Sequence, residues 1–190
     1  MLDSPLACAG LLIAGFVMGG VCQSVWFAHP ASRRFSWPID GGRTFRGRRI
    51  FGENKTVRGF MVILPATALA MLGFGMFAQW AGIPIWPLSW KQLLLLGLSA
   101  ALGLMLGELP NSFLKRQLDV EPGRPPQHRV GRVISAIADR VDSVIGALIG
   151  AAVVVDLSWK TAAWCFVIGP PIHGLFSALL YALGVKKRPG

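Results

Sequence analysis

The sequence predicts an all-α polytopic membrane helix bundle, and three observations support that fold class. Of the 190 residues, 53% are hydrophobic and only 15% are charged, whereas a soluble domain needs a charged surface to stay in water. The apolar residues form long blocks instead of following a strand or helix period. The positive charges lie almost entirely in the polar segments between these blocks. We therefore expect a single integral membrane domain over residues 1–190 and exclude a soluble enzyme.

Five apolar stretches are long enough to cross a bilayer core of ~30 Å at about 1.5 Å per helical residue. They cover approximately residues 5–28, 59–82, 91–114, 132–155 and 161–184. Two polar loops, at about 29–58 and 115–132, follow the first and the third stretch. The pattern predicts about five transmembrane helices.

The distribution of Lys and Arg predicts the orientation. Five spans place the chain termini on opposite sides, so both polar loops and the C-terminal tail share one side. That side carries 17 of the 19 Lys and Arg residues and should face the cytoplasm, with the N-terminus outside. We expect a protein of the cell (inner or plasma) membrane. The net charge of +10 lies in short loops, which suits anionic lipid headgroups or an anionic substrate and not nucleic acid.

Two carboxylates mark the predicted cytoplasmic end of the fourth stretch. Asp139 and Asp142 are three residues apart, so they share one face of a helix. Hard carboxylate oxygens near a phosphate-bearing ligand are the usual way in which proteins hold Mg²⁺. The alternative is a pair of solvated carboxylates that the helix dipole stabilises. The spacing alone favours neither interpretation.

The end of the third stretch carries a second polar face. Glu108, Ser112 and Lys115 follow one another at helical spacing, and Arg116 is adjacent. A carboxylate, a hydroxyl and two cations on one face suit a metal-bound polyphosphate. The alternative for Lys115 and Arg116 is a basic membrane anchor. Glu108 is harder to explain in that way, because it ends a strongly apolar run.

The first polar loop combines glycine with positive charge. Lys55, Thr56 and Arg58 follow Gly52, and this arrangement suits a phosphate cradle of backbone N–H groups and cations. A flexible basic loop on anionic lipid is the alternative, and spacing alone favours it somewhat.

Four blocks of the chain, in order, resemble the CDP-archaeol synthase family, which belongs to the wider group of phosphatidate cytidylyltransferases. The blocks are DGGRTFRGRRIFGENKTVRG (40–59), GELPNSFLKRQL (107–118), ADRVDSVIGALI (138–149) and IHGLFSALLYALGVKKRP (172–189). The NKTxRG sequence is more specific to the archaeol-type branch, and the SxxKR and DRxD motifs are shared with the wider group. The resemblance implies a membrane enzyme that uses Mg²⁺ to join CTP to a lipid phosphate, with a CDP-lipid and pyrophosphate as products.

The resemblance also assigns roles to residues. It implies catalytic roles for four residues, substrate binding by six and metal ligation by three. The catalytic residues are Asp139, Asp142, Lys115 and Arg116; the substrate-binding residues are Asn54, Lys55, Thr56, Arg58, Ser112 and Arg140; the metal ligands are Asp139, Asp142 and Glu108. The expected partners are CTP, phosphatidate or an ether or isoprenoid analogue, the membrane, and a second copy of the chain.

The sequence departs from the family pattern at three places. Glu108 stands where Asp is usual, Glu121 stands where Lys is common, and the His-Gly-Gly that precedes DRxD in the wider group is absent. Two other functions stay open at this point. One is a CTP-dependent lipid kinase, and the other is a non-enzymatic small membrane protein or transporter.

Overall fold

The computed structural model describes residues 3–120, 129–182 and 184. Its long helices follow the five apolar stretches, and we number them α1 to α5. They are α1 (Pro5–Ala28), α2 (Val57–Trp80), α3 (Trp90–Gln117), α4 (Arg129–Ala152) and α5 (Trp159–Ala182). The predicted helical fold class is confirmed. Three of the helices, α1, α2 and α3, are long and apolar enough to cross a membrane within the described residues. The count of five spans and the orientation of the termini stay predictions.

The helices form a closed ring. Each helix packs against the next along the chain, and α5 returns to contact α1. Buried apolar side chains from α1, α2 and α3, among them Leu12, Met71 and Leu96, form the core at one end of this ring. A ring of this kind leaves room for a central cavity between the helices.

Helices α3 and α4 touch through their backbones. A Cβ atom on Gly103 would lie 2.1 Å from the carbonyl oxygen of Gly146, and a Cβ atom on Gly107 would lie 2.6 Å from the carbonyl oxygen of Asp142. Only glycine permits so close an approach. The contact therefore places Glu108, which follows Gly107, directly beside the acidic face of α4.

Helices α1 and α2 also meet at glycine, but here a side chain fills the gap. A Cβ atom on Gly15 would lie 2.6 Å from Cγ of Met71, and one on Gly19 would lie 2.3 Å from the hydroxyl oxygen of Thr67. This glycine pair is thus used for packing within the chain. A homodimer, which these small residues would also allow, stays a prediction.

The first polar loop has its own structure. It begins with a 3₁₀ helix (Pro30–Phe35) and contains a two-stranded antiparallel hairpin, β1 (Thr44–Phe45) and β2 (Arg48–Arg49). The backbone N–H of Ile39 donates to the carbonyl of Lys55 at 2.9 Å, which ties the two arms of the loop together. Arg48 bonds the carbonyl oxygen of Gln117 and the carboxylate of Asp119 at the end of α3. The loop is therefore fastened to α3.

Asp40 organises the inside of this loop. Its carboxylate accepts hydrogen bonds from the backbone N–H groups of Gly42, Phe51 and Gly52 at 2.9, 3.0 and 3.2 Å, and from the guanidinium of Arg49 at 2.8 Å. Burial alone would raise the pKa of Asp40, but the Arg49 charge and the three N–H donors lower that pKa to about 2. The ionised carboxylate thus sets the path of the chain between the hairpin and the segment that reaches α3.

Candidate functional site

A cavity of about 490 Å³ lies inside the helix ring, and its lining is part apolar and part polar. This volume is within the range of roughly 300–1,000 Å³ that small-molecule sites occupy. The apolar lining comes mainly from α1, α4 and α5, with Leu12, Phe16, Leu148, Cys165 and Phe176 among its residues. Most of the polar lining comes from the first loop, α3 and α4, and we call this part the polar end. Its residues are Asn54, Lys55, Thr56, Glu108, Ser112, Lys115, Arg116, Asp139, Asp142 and Ser143.

The three predicted carboxylates meet at the polar end. The amide nitrogen of Asn111 donates to Asp139 at 2.6 Å and to Asp142 at 2.8 Å, so one side chain of α3 bridges both acids of α4. The hydroxyl oxygen of Ser143 lies 2.8 Å from Oε1 of Glu108 and 3.3 Å from Oδ1 of Asp142. These bridges depend on the backbone contact of α3 with α4, which removes the space that side chains would otherwise need.

Two lysines balance these acids. Lys55, from the first loop, pairs with Glu108, and Lys115 pairs with Asp139. The side chains of Lys55, Glu108 and Lys115 are 21%, 19% and 18% exposed, and that of Asp139 is 49% exposed. Both pairs therefore lie partly out of water, where electrostatic interactions are stronger than at an open surface.

Most of the other predicted site residues reach the same cavity. Asn54, Thr56, Ser112 and Arg116 all line it, and the guanidinium of Arg116 also bonds the carbonyl oxygen of Val120. This bond ties Val120 to the last turn of α3. The polar end thus collects groups from three segments that are far apart in sequence.

Arg58 lies apart from the cavity lining. Its guanidinium carbon sits 4.4 Å from the ring centroid of Phe27, and Nη1 lies 3.5 Å from the hydroxyl of Ser32. These contacts give Arg58 a packing role between α1, the 3₁₀ helix and α2. The side chain of Arg140, also predicted to bind substrate, lies outside the described residues.

The donor chemistry at the polar end suits a hard divalent cation. Carboxylate, hydroxyl and amide oxygens are the ligands that Mg²⁺ takes in proteins. In the part of the chain that the structure describes, no group of three or more His, Cys, Asp and Glu side chains is arranged as a metal-ligand set. Lysine ammonium groups and the Asn111 amide instead engage the carboxylates. Metal ligation by Glu108, Asp139 and Asp142 stays a prediction.

Asn111 and Ser143 were missed by the sequence analysis, although both carry the contact between α3 and α4. A usable signal existed for Asn111, which is three residues from Glu108 and so shares its helical face. For Ser143 the signal was weaker, because a serine next to an aspartate is common in any helix.

The chain resembles known proteins along most of its length. Residues 34–189 match the family described as CarS-like, CDP-archaeol synthase. The CDP-archaeol synthase of Pyrococcus furiosus is 35% identical over 181 residues, which cover 90% of this chain and 99% of that protein. That of Methanoculleus marisnigri is 32% identical, over 80% and 89% of the two chains. A solved structure of an intramembrane enzyme for archaeal membrane lipid biosynthesis has the same fold, with a TM-score of 0.58, 22% identity and 97% of both chains covered.

Proposed function

Because the chain belongs to the CDP-archaeol synthase family, as its motifs predicted, we propose that it transfers CMP from CTP to a membrane lipid phosphate. The products are a CDP-activated lipid and pyrophosphate. The substrate class is that of phosphatidate and its ether or isoprenoid analogues, since all of these present a phosphate on an apolar body.

The observation that carries this proposal is the mixed lining of the cavity inside the helix ring. Its polar end offers cations to a triphosphate and carboxylates to a divalent cation, and its apolar lining, with Phe16 and Phe176, offers a wall to hydrocarbon. A lipid phosphate needs both, because its headgroup is anionic and its tails are apolar. A volume of about 490 Å³ is too small for whole lipid tails beside a nucleotide, so the tails would continue between helices into the bilayer.

The proposed chemistry needs positioning more than it needs a protein nucleophile. An oxygen of the lipid phosphate attacks the α-phosphorus of CTP and forms a new P–O bond. The bond from that phosphorus to the bridging oxygen breaks, and the electron pair leaves with pyrophosphate. Lys55, Lys115 and Arg116 line the cavity and would hold phosphate oxygens, which neutralises repulsion between two anionic substrates. Ser112 would add a hydroxyl donor, and Asn54 and Thr56 would extend the phosphate contacts from the loop.

The acidic groups would hold Mg²⁺. We assign it to Asp139 and Asp142, with Glu108 as a third candidate ligand, because these carboxylates are bridged to one another by Asn111 and Ser143. When bound, Mg²⁺ supplies charge neutralisation on the triphosphate and on the leaving pyrophosphate. The positive-inside distribution of Lys and Arg would put this end of the cavity on the cytoplasmic side, where CTP is available.

Label transfer tests the proposal. The full chain, in nanodiscs with Mg²⁺, a panel of lipid phosphates and the corresponding lipid alcohols, receives CTP labelled either at the α- or at the γ-phosphorus. We expect the α-label, and not the γ-label, in the lipid fraction. A γ-label in a lipid alcohol would instead identify a CTP-dependent lipid kinase. Absence of any labelled lipid from a folded protein would contradict the proposal and favour a non-enzymatic role.

A further inference from the structure

The carboxylates at the polar end of the cavity already have cationic partners from the chain itself. Lys55 bonds Glu108, and Lys115 bonds both carboxylate oxygens of Asp139. In each pair, both residues also line the cavity. Each lysine therefore contacts a carboxylate and also borders the space that the proposed function gives to a triphosphate.

A lysine ammonium cannot fully neutralise a carboxylate and a nucleotide phosphate at the same time. It carries a single point charge on a flexible four-carbon stem, so it can turn from one anion to another without moving the backbone. A carboxylate that loses its counter-ion in a partly buried position is costly unless another cation replaces it. Movement of Lys55 or Lys115 towards phosphate would thus leave a carboxylate that favours a divalent cation.

We propose that Lys55 and Lys115 are exchangeable counter-ions that couple nucleotide binding to divalent-cation binding. In the absence of nucleotide they neutralise Glu108 and Asp139 and oppose the entry of a cation. With nucleotide bound they contact phosphate oxygens, and the carboxylates become available to the cation. This inference rests on the proposed function, because it places a triphosphate and a cation at this site.

An ion pair outside the cavity shows how Lys55 and Lys115 differ from ordinary surface lysines and arginines. Arg48 and Asp119 also form a pair, but their side chains are 45% and 68% exposed and neither residue lines the cavity. This pair only fastens the hairpin to the end of α3. Lys55 and Lys115 are distinguished by having both their acidic partner and the cavity within reach.

Coupling of this kind is reciprocal. If nucleotide raises the affinity for the cation by some factor, the cation raises the affinity for nucleotide by the same factor. Removal of either lysine should therefore change two affinities in opposite directions. The affinity for the cation alone should rise, since a competing positive charge is gone, and the affinity for nucleotide without a cation should fall.

Mn²⁺ binding followed by electron paramagnetic resonance tests this without any turnover. The full chain in nanodiscs is titrated with Mn²⁺ alone, and CTP binding is measured separately in EDTA. For Lys55→Met and Lys115→Met we expect a roughly tenfold higher affinity for Mn²⁺ alone and a roughly tenfold lower affinity for CTP. Lys91→Met, at the opposite end of α3, should behave as the unchanged protein, and Lys55→Arg and Lys115→Arg should keep the weak Mn²⁺ binding because they keep the charge.

Two outcomes would overturn the inference. One is an unchanged or lower Mn²⁺ affinity in both folded methionine variants, and the other is an equal rise in the Lys91→Met control. If a methionine variant does not fold, its arginine counterpart and Lys55→Gln or Lys115→Gln decide the same question. Normal transfer of α-label with unchanged Mn²⁺ affinities would reject the counter-ion exchange alone. Absence of transfer with the expected Mn²⁺ affinities would reject the proposed function alone.

Discussion

Among the helix pairs that glycine brings together, α1 with α2 and α3 with α4 differ in what meets the glycine. At α1–α2, the side chains of Met71 and Thr67 fill the space beside Gly15 and Gly19. At α3–α4, backbone faces backbone, with a glycine on both helices at the closest point. The first contact is ordinary packing of side chains into a groove, and the second leaves no side chain between the helices.

The difference shows how a glycine contact becomes a candidate site. Near α1–α2 the glycines are followed by Phe16 and Gly20, so close packing there brings no charged group to the cavity. Glu108 follows directly after the α3 contact, and Asp142 lies beside it on α4. Close approach therefore forces two carboxylates together, and Asn111 and Ser143 bridge them.

Asp142→Asn should remove most of the transfer activity while it leaves the backbone contact between α3 and α4 intact. The amide keeps the shape of the carboxylate but loses its charge and its affinity for a hard cation. We expect transfer of α-label to fall by roughly 10³-fold. Asp156→Asn, in the exposed connection that follows α4, is the matched control and should keep its rate. Near-normal turnover of Asp142→Asn would reject Asp142 as a metal ligand.

Asn111→Ala tests the bridge that the Asn111 amide forms from α3 to the two aspartates of α4. The change removes the donor that holds Asp139 and Asp142 together, and loss of a residue that orients ligands costs roughly 10- to 100-fold in affinity or activity. We expect a fall of that size in the rate of label transfer and in Mn²⁺ affinity with CTP present. Gln79→Ala removes an amide hydrogen bond to Leu88 at the other end of the bundle and should change neither. Equal effects of the two substitutions would contradict the bridging role.

Asp40→Asn should lower the stability of the first polar loop, which places Lys55 beside Glu108 of α3. The pKa of Asp40 is lowered to about 2, so its ionised form stabilises the folded loop at neutral pH. That contribution is lost as the pH falls from about 4 towards 2. The difference in unfolding free energy between the protein and Asp40→Asn should be no more than about 2 kcal/mol at pH 7 and should shrink below pH 4. A difference that is independent of pH between 7 and 2.5, measured by thermal or denaturant unfolding, would contradict this role.

The positions of the helices could be predicted closely because each helix is marked by a long apolar stretch. Apolar runs of more than twenty residues have one stable solution in a bilayer, so all five helices begin and end within a few residues of the predicted limits. Helix α3 contains Pro110 and continues to Gln117, three residues beyond the predicted limit. The hairpin and the Asp40 centre of the first loop had no comparable signal, since they depend on contacts that are local in space and not periodic in sequence.

The candidate site could be predicted at its charged residues and at the motif residues Asn54, Thr56 and Ser112, all of which line the cavity, but not at Asn111 and Ser143. A carboxylate or lysine stands out in an apolar chain because it is costly there, whereas Asn111 and Ser143 are unremarkable in sequence. Which lysine pairs with which carboxylate could also not be predicted from the sequence, since Lys55 and Glu108 are 53 residues apart along the chain. Arg58 shows what a motif alone does not resolve. Its guanidinium packs on Phe27, which lines the cavity, whereas Arg58 is not itself among the lining residues. Substrate binding by Arg58 stays a prediction.

Arg48→Ala should have the smallest effect, since it only loosens the fastening of the loop to α3. The pair with Asp119 is largely exposed, and such pairs contribute about 0.2–1 kcal/mol. We expect the KM for CTP to rise by at most about fivefold with little change in kcat. Arg43→Ala, in the same loop, should leave both constants unchanged. A large loss of kcat for Arg48→Ala would indicate that Arg48 acts in the chemistry itself.

A comparison of one glycine from each helix pair tests most directly whether the backbone contact between α3 and α4 assembles the site. Gly146→Ala puts a methyl group against the Gly103 backbone of α3, and Gly15→Ala puts one against the Met71 side chain. Transfer of α-label is measured per folded protein in nanodiscs. We predict a fall of roughly 100-fold for Gly146→Ala, because the acids of α3 and α4 are displaced from each other, and a change within about twofold for Gly15→Ala. Equal rates in the two folded variants would contradict the claim that the α3–α4 backbone contact assembles the site.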